Sequence, residues 1–174
     1  MKKLLISSII TVGAVAVSAM EPVCAGQGLS YASQRIFCNK YVNSRFGFSI
    51  NVPCGFVANP PPANGDGRSF YDKYGARFIV WGRTNVLNDT VMSAYRESLN
   101  EHPNAAYHTH GKTWYVISYR EKDFIVYEKY FINADYVNGW IFKYPASRAN
   151  IMNPICSAVA KTFVPGWTNP NRED

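Results

Sequence analysis

"TWYVISYREKDFIVYEKYFINADYVNGWIFKY", residues 113–144, is dense in Tyr, Phe, Trp, Ile and Val, the residue types that favour pleated, half-buried strands. The connections between its β-rich runs are Glu121-Lys122-Asp123 and Asn133-Ala134-Asp135. Breaks that short suit antiparallel hairpins, whereas parallel neighbours need crossovers of roughly a dozen residues. The stretch therefore predicts three consecutive antiparallel strands, over 113–120, 123–133 and 135–144.

Upstream, Phe46, Phe48, Ile50 and Val52 alternate with polar or small residues until Pro53, the period-two pattern of a strand with one buried face. Asn59-Pro60-Pro61-Pro62 cannot enter the middle of a sheet, because proline has no amide hydrogen to donate. Asn64-Gly65 and Asp66-Gly67 are turn dipeptides. A calcium loop would need oxygen ligands where Arg68 and Phe70 stand, and a phosphate loop would need a following helix, so this stretch reads as a turn. Short strands follow over 68–71 and 76–82, the second with Phe78 and Val80 on one face and Ile79 and Trp81 on the other.

Asn88-Asp89-Thr90 offers N-cap residues before Val91, Met92, Tyr95 and Leu99, an amphipathic helix of about three turns stopped by His102-Pro103. Ile151, Ile155, Cys156, Val159 and Phe163 give a second helix, with Pro154 expected in its first turn, Asn153 as its cap and 147–152 as a separate turn. Runs of antiparallel strands with helices laid over the sheet faces define an α+β fold.

Phe46-Gly47-Phe48-Ser49-Ile50 with Pro53, then Asn64-Gly65-Asp66-Gly67, and a last helix closing on Thr162-Phe163-Val164-Pro165-Gly166 together resemble an exported bacterial family of unknown function. That family is similar to the PsbP-like superfamily, the extrinsic photosystem proteins and their relatives. The resemblance spans about 38–166. It implies an antiparallel β-sheet covered by helices in an α-β-α sandwich, used for binding or scaffolding, and it supplies no catalytic residues.

Met1-Lys2-Lys3 followed by an uncharged run over 4–19 has the build of a secretory signal peptide and is shorter than the roughly 20 residues of a spanning helix. Cleavage is expected after Ala25, or alternatively after Ala19. The expected organisation is a leader over 1–25, one domain over 26–166 and a loose tail over 167–174, in a soluble protein of the periplasm or exterior. The 18 Lys and Arg exceed the 12 Asp and Glu but form no block of like charge, which argues against nucleic acid and against stable membrane insertion.

An oxidising compartment favours paired or buried cysteines. Cys38, Cys54 and Cys156, with Cys24 added by the earlier cut, leave the pairing open. A bridge from Cys156 to either of the others would close a loop worth several kcal/mol, about 4–5 by chain entropy.

Two groups of residues carry possible chemistry. His102, His108 and His110 fall within one short stretch, and the last two point to one side if it is extended, which makes them candidate metal ligands with Glu101 in support. The late strands carry rings on both faces, so Tyr119, Tyr127 and Trp140 are candidate surface contacts unless helices cover both sides. No Gly-x-Ser-x-Gly elbow occurs, and Cys156 on an apolar stripe reads as structural. The expected function is a non-enzymatic exported binding or accessory module without a cofactor, whose partner is another envelope or secreted protein. An immunity protein against a periplasmic toxin is its narrower version. A metal-binding protein or metal-dependent hydrolase built on the three histidines is the alternative.

Overall fold

The computed structural model describes residues 36–168, so the expected leader, Cys24 and positions 169–174 of the tail lie outside the described residues. Strands β1 (Phe37–Val42) and β2 (Ser49–Pro53) form an antiparallel hairpin. Then come β3 (Val57–Ala58), β4 (Gly67–Tyr71), β5 (Arg77–Thr84), helix α1 (Val91–Glu101), β6 (Tyr107–His110), β7 (Trp114–Glu121), β8 (Phe124–Ile132), β9 (Tyr136–Pro145) and helix α2 (Ala149–Ala160). The last seven strands make one antiparallel sheet in the order β3-β4-β5-β9-β8-β7-β6. The chain is α+β.

The strand order explains why α1 lies where it does. Strand β9 pairs with β5, so the link from β5 to β6 has to cross the sheet from one side to the far edge. Helix α1 is that crossing. Thr90 caps it: its Oγ1 accepts the Ser93 amide at 3.0 Å while Ser93 Oγ accepts the Thr90 amide at 2.9 Å. Val91 and Tyr95 pack onto Tyr115, Ile117, Ile132 and Val137.

Register puts Phe78, Val80, Trp140 and Phe142 on the opposite face. Phe46, Phe48, Ile50 and Val52 of the hairpin, with Met152, Cys156 and Val159 of α2 and the following Phe163, close that face into the larger core. Among the described residues no helix is long and apolar enough to cross a membrane.

Several local expectations change. Strands β1, β3 and β6 add to those the sequence predicts, and β2 begins only at Ser49 because residues 43–48 form the hairpin turn, with Asn43 Oδ1 accepting the Phe46 amide at 2.7 Å and Gly47 at φ 70°. Phe46 and Phe48 are buried nonetheless. Pro154 stands inside α2, not in its first turn. Asn150, whose carbonyl would have accepted its missing amide, is on the exposed side with Asn153 and Pro154, where water can serve instead. The turn at Asn64 to Gly67 is filled by the chain's own groups: Arg45 Nη1 donates to the Asn64 carbonyl at 2.7 Å and Asn43 Nδ2 to the Gly65 carbonyl at 2.8 Å.

The disulfide joins Cys38 to Cys54 across the hairpin, which removes the long-loop pairings with Cys156. Cys156 is free and buried on α2, and burial pushes its thiol up to about 12. Thiolate is the reactive form. Native protein is therefore expected to leave the Cys156 peptide unlabelled by iodoacetamide at pH 8, with full labelling after denaturation, as read by peptide mass mapping; rapid native labelling would contradict the packing.

Candidate functional site

The structure does not bring the three histidines together on an ion. His108 and His110 do share one side of β6, but His108 Nδ1 is 2.6 Å from the Tyr95 hydroxyl and the His110 ring lies 5.0 Å from the Tyr95 ring. His102 lies flat on Tyr119, with centroids 3.6 Å apart. Among the described residues no three His, Cys, Asp or Glu side chains are grouped so as to hold a metal ion.

The aromatic candidates divide by face. Trp140 is fully buried, correcting its expected surface role. Its strand, β9, is the middle one of seven, and the indole is held between Phe78 at 5.9 Å and Tyr127 at 5.1 Å beneath the hairpin and α2. Tyr127 is half-buried against the same core. Tyr119 is on the α1 face, and beside it lies a feature that no single stretch of sequence displays.

That feature is a cleft of about 230 Å³ between the flank of α1 and the sheet. Its floor is aromatic. Trp81 on β5 and Tyr130 on β8 both stand opposite Gly139 on β9, and a Cβ there would come within 2.9 Å of each ring. Without it the two rings meet edge to face at 5.8 Å over the central strand, and Tyr130 goes on to stack on Tyr115 of β7 at 4.8 Å. Rings from three strands, β5, β8 and β7, thus form one aromatic surface across the glycine of β9.

Its rim is acidic. Glu128 is half-buried and accepts hydroxyl hydrogen bonds from Tyr119 at 2.7 Å and Tyr130 at 2.5 Å. Glu97 and Glu101 line the helix side, where the Ser98 and Tyr115 hydroxyls meet at 3.0 Å. Arg83 also lines the cleft but is paired with Asp89 at 2.5 Å, so those two charges offset each other. Among the described residues Glu97, Glu101 and Glu128 have no ion-pair partner.

The tyrosines register this field. Burial, then the neighbouring Glu128, Glu97 and Glu101 charges, push Tyr115 up to about 12 against a hydrogen bond from Ser98 that pulls it down. Burial and Glu128 raise Tyr119 and Tyr130 as well. A phenol raised in the folded state keeps its proton where the unfolded phenol, near 10, has lost it, so its contribution is complete below pH 10 and is lost as pH rises from about 10 through about 12. Stability is thus expected to fall over that window, with the share of tyrosinate absorbance at 295 nm that comes from Tyr115, Tyr119 and Tyr130 appearing only with unfolding. Full titration near pH 10 in folded protein would contradict the burial.

No protein-family model matches the chain, and no curated protein matches it in sequence. Solved structures do. The solution structure of cyanobacterial PsbP (CyanoP) from Synechocystis sp. PCC 6803 is similar at a TM-score of 0.53 with 12% identity, covering 82% of this chain and 96% of that one. A crystal structure from Bacteroides thetaiotaomicron VPI-5482 is similar at a TM-score of 0.47 and 16% identity over 72% of this chain, which spans 47% of that protein's length. The likeness to the cyanobacterial protein establishes a PsbP-like fold.

Proposed function

We propose that this chain is a non-enzymatic, exported binding module of the PsbP-like type, whose task is to hold another envelope or secreted protein. We read its two covered sheet faces as the α-β-α sandwich of that type. The observation that carries the proposal is the cleft: rigid aromatic area on a sheet, rimmed by carboxylates that lack a counter-ion among the described residues. Aromatic rings give contact area at low entropic cost, and charges left unpaired at a surface are available to an outside partner. Of the side chains named above, Cys156 is buried and protonated and the Ser98 hydroxyl meets that of Tyr115.

Export with a leader over 1–25, cut after Ala25 or Ala19, fits a Cys38–Cys54 disulfide, which persists in oxidising compartments. In its narrower form the partner is a toxin reaching the periplasm, neutralised by occupation. The test is capture from periplasmic extract followed by size exclusion of the recovered pair. A single protein co-eluting in fixed stoichiometry with the wild type, and weakened by Trp81→Ala, is the expected result. Absence of a partner, with the pure protein turning over a substrate, overturns the proposal.

A further inference from the structure

We propose that the α1 cleft is a receptor for a cationic side chain, a guanidinium or alkylammonium presented by the partner. The partner part of this statement rests on the binding-module reading above, and the cation part stands without it.

Three observations converge. The cleft floor is built of Trp81, Tyr130 and Tyr115, and a cation over an aromatic face is attracted by the ring quadrupole, most strongly over Trp. The helix side carries Glu97 and Glu101, whose oxygens match the donors of a guanidinium, with the Glu128 charge behind the Tyr130 hydroxyl, while the one basic group among the described residues lining the cleft, Arg83, already has Asp89.

The third is a pair of local costs in α1. Glu97 and Glu101 are four residues apart on one helix flank, a like-charge spacing that weakens a helix, and Glu101 is its final residue, where the helix dipole disfavours an anion. The last turn holds no basic residue to offset this. Local rules are broken most often at functional sites, and here the broken rule supplies charge to a concave aromatic surface in an otherwise basic chain. A cation entering the cleft removes the repulsion that the free protein tolerates.

The test uses small probes on the full folded chain. N-acetyl-L-arginine amide and N-acetyl-L-lysine amide are titrated against ¹⁵N-labelled protein, following the Trp81 indole resonance, with N-acetyl-L-citrulline amide as the neutral isostere. Saturable shifts in about the millimolar range are expected for the cations, weakening at least tenfold for citrulline and for the double variant Glu97→Gln/Glu101→Gln. That double variant should also raise Tm, because it removes the like-charge pair; a merely structural role predicts a fall.

Equal shifts by citrulline, or undiminished binding by the double variant, overturn the inference. Probe binding without any captured protein would sink the module reading alone. A captured partner indifferent to both the probes and the charge-removing double variant would sink this inference alone.

Discussion

Phe48→Ala is expected to cost about 3–5 kcal/mol, a large share of the stability of a single domain. Phe48 is fully buried and its ring stacks on Phe163 at 6.0 Å and tilts against Tyr41 at 6.1 Å, while Phe163 stacks in turn on Phe131 of β8 at 5.0 Å. The adjacent backbone is pinned as well, since Ser49 and Val164 exchange hydrogen bonds at 3.0 and 2.9 Å. Walls drawn from the hairpin, the sheet and the segment after α2 cannot all move inward, so most of the vacated volume would stay empty.

The measurement is urea unfolding followed by far-UV circular dichroism. With a slope of about 1–3 kcal/mol per molar, the midpoint should fall by 1 M or more. Val57→Ala is the control: Val57 is 55% exposed on β3, and a change within about 0.5 kcal/mol is expected there. A loss under 1 kcal/mol for Phe48→Ala would mean that the hairpin does not close this face.

The parts of the fold legible in the sequence are those whose local chemistry and tertiary role agree. Strands β7, β8 and β9 fall within a residue or two of the periodic runs, because β-forming side chains are packed there and three-residue breaks leave room only for hairpins. Helix α1 shows itself through Thr90 and Pro103. Strand β1, Phe-Cys-Asn-Lys-Tyr-Val, is exposed at four of its six positions and owes its order to pairing with β2 and to the disulfide. Strand β6 is a four-residue edge of the same kind, aligned by β7.

Trp140 could not be sorted from Tyr130 by sequence, since both faces of the late strands carry rings. Only the strand order, with β9 central, sends one under α2 and the other into the cleft. The cleft itself joins residues from five elements. Its one local signal was the Glu97 and Glu101 pair at the end of a helix, a misfit that points to function once the sheet beneath it is known.

The second large effect concerns Asp72, in the turn between β4 and β5. Its carboxylate is 8% exposed and does three things at once: Oδ1 accepts the Tyr74 and Ala76 amides at 2.9 and 2.7 Å, and Oδ2 pairs with Arg148 Nη1 at 2.6 Å. Arg148 is 23% exposed and lies over the Tyr74 ring at 4.2 Å, so the pair ties the β4–β5 turn to the start of α2, 76 residues away. Removing one member of a buried pair leaves the other charge without compensation, which costs about 3–5 kcal/mol. Asp72→Ala should do so, and should free two amides as well.

Arg45 with Asp66 has the same 2.6 Å separation but is 54% and 36% exposed, and Asp66→Ala should change stability by no more than about 1 kcal/mol. Equal distances with unequal effects would show that solvent exclusion, not contact length, sets the strength. Two further variants separate charge from turn geometry. Asp72→Asn keeps an acceptor for the amides and should lose less than alanine, and adding Arg148→Met to Asp72→Ala should recover part of the loss by removing the stranded guanidinium. Urea midpoints for the four variants read the ordering directly, and a cost for Asp72→Ala no larger than that for Asp66→Ala would refute it.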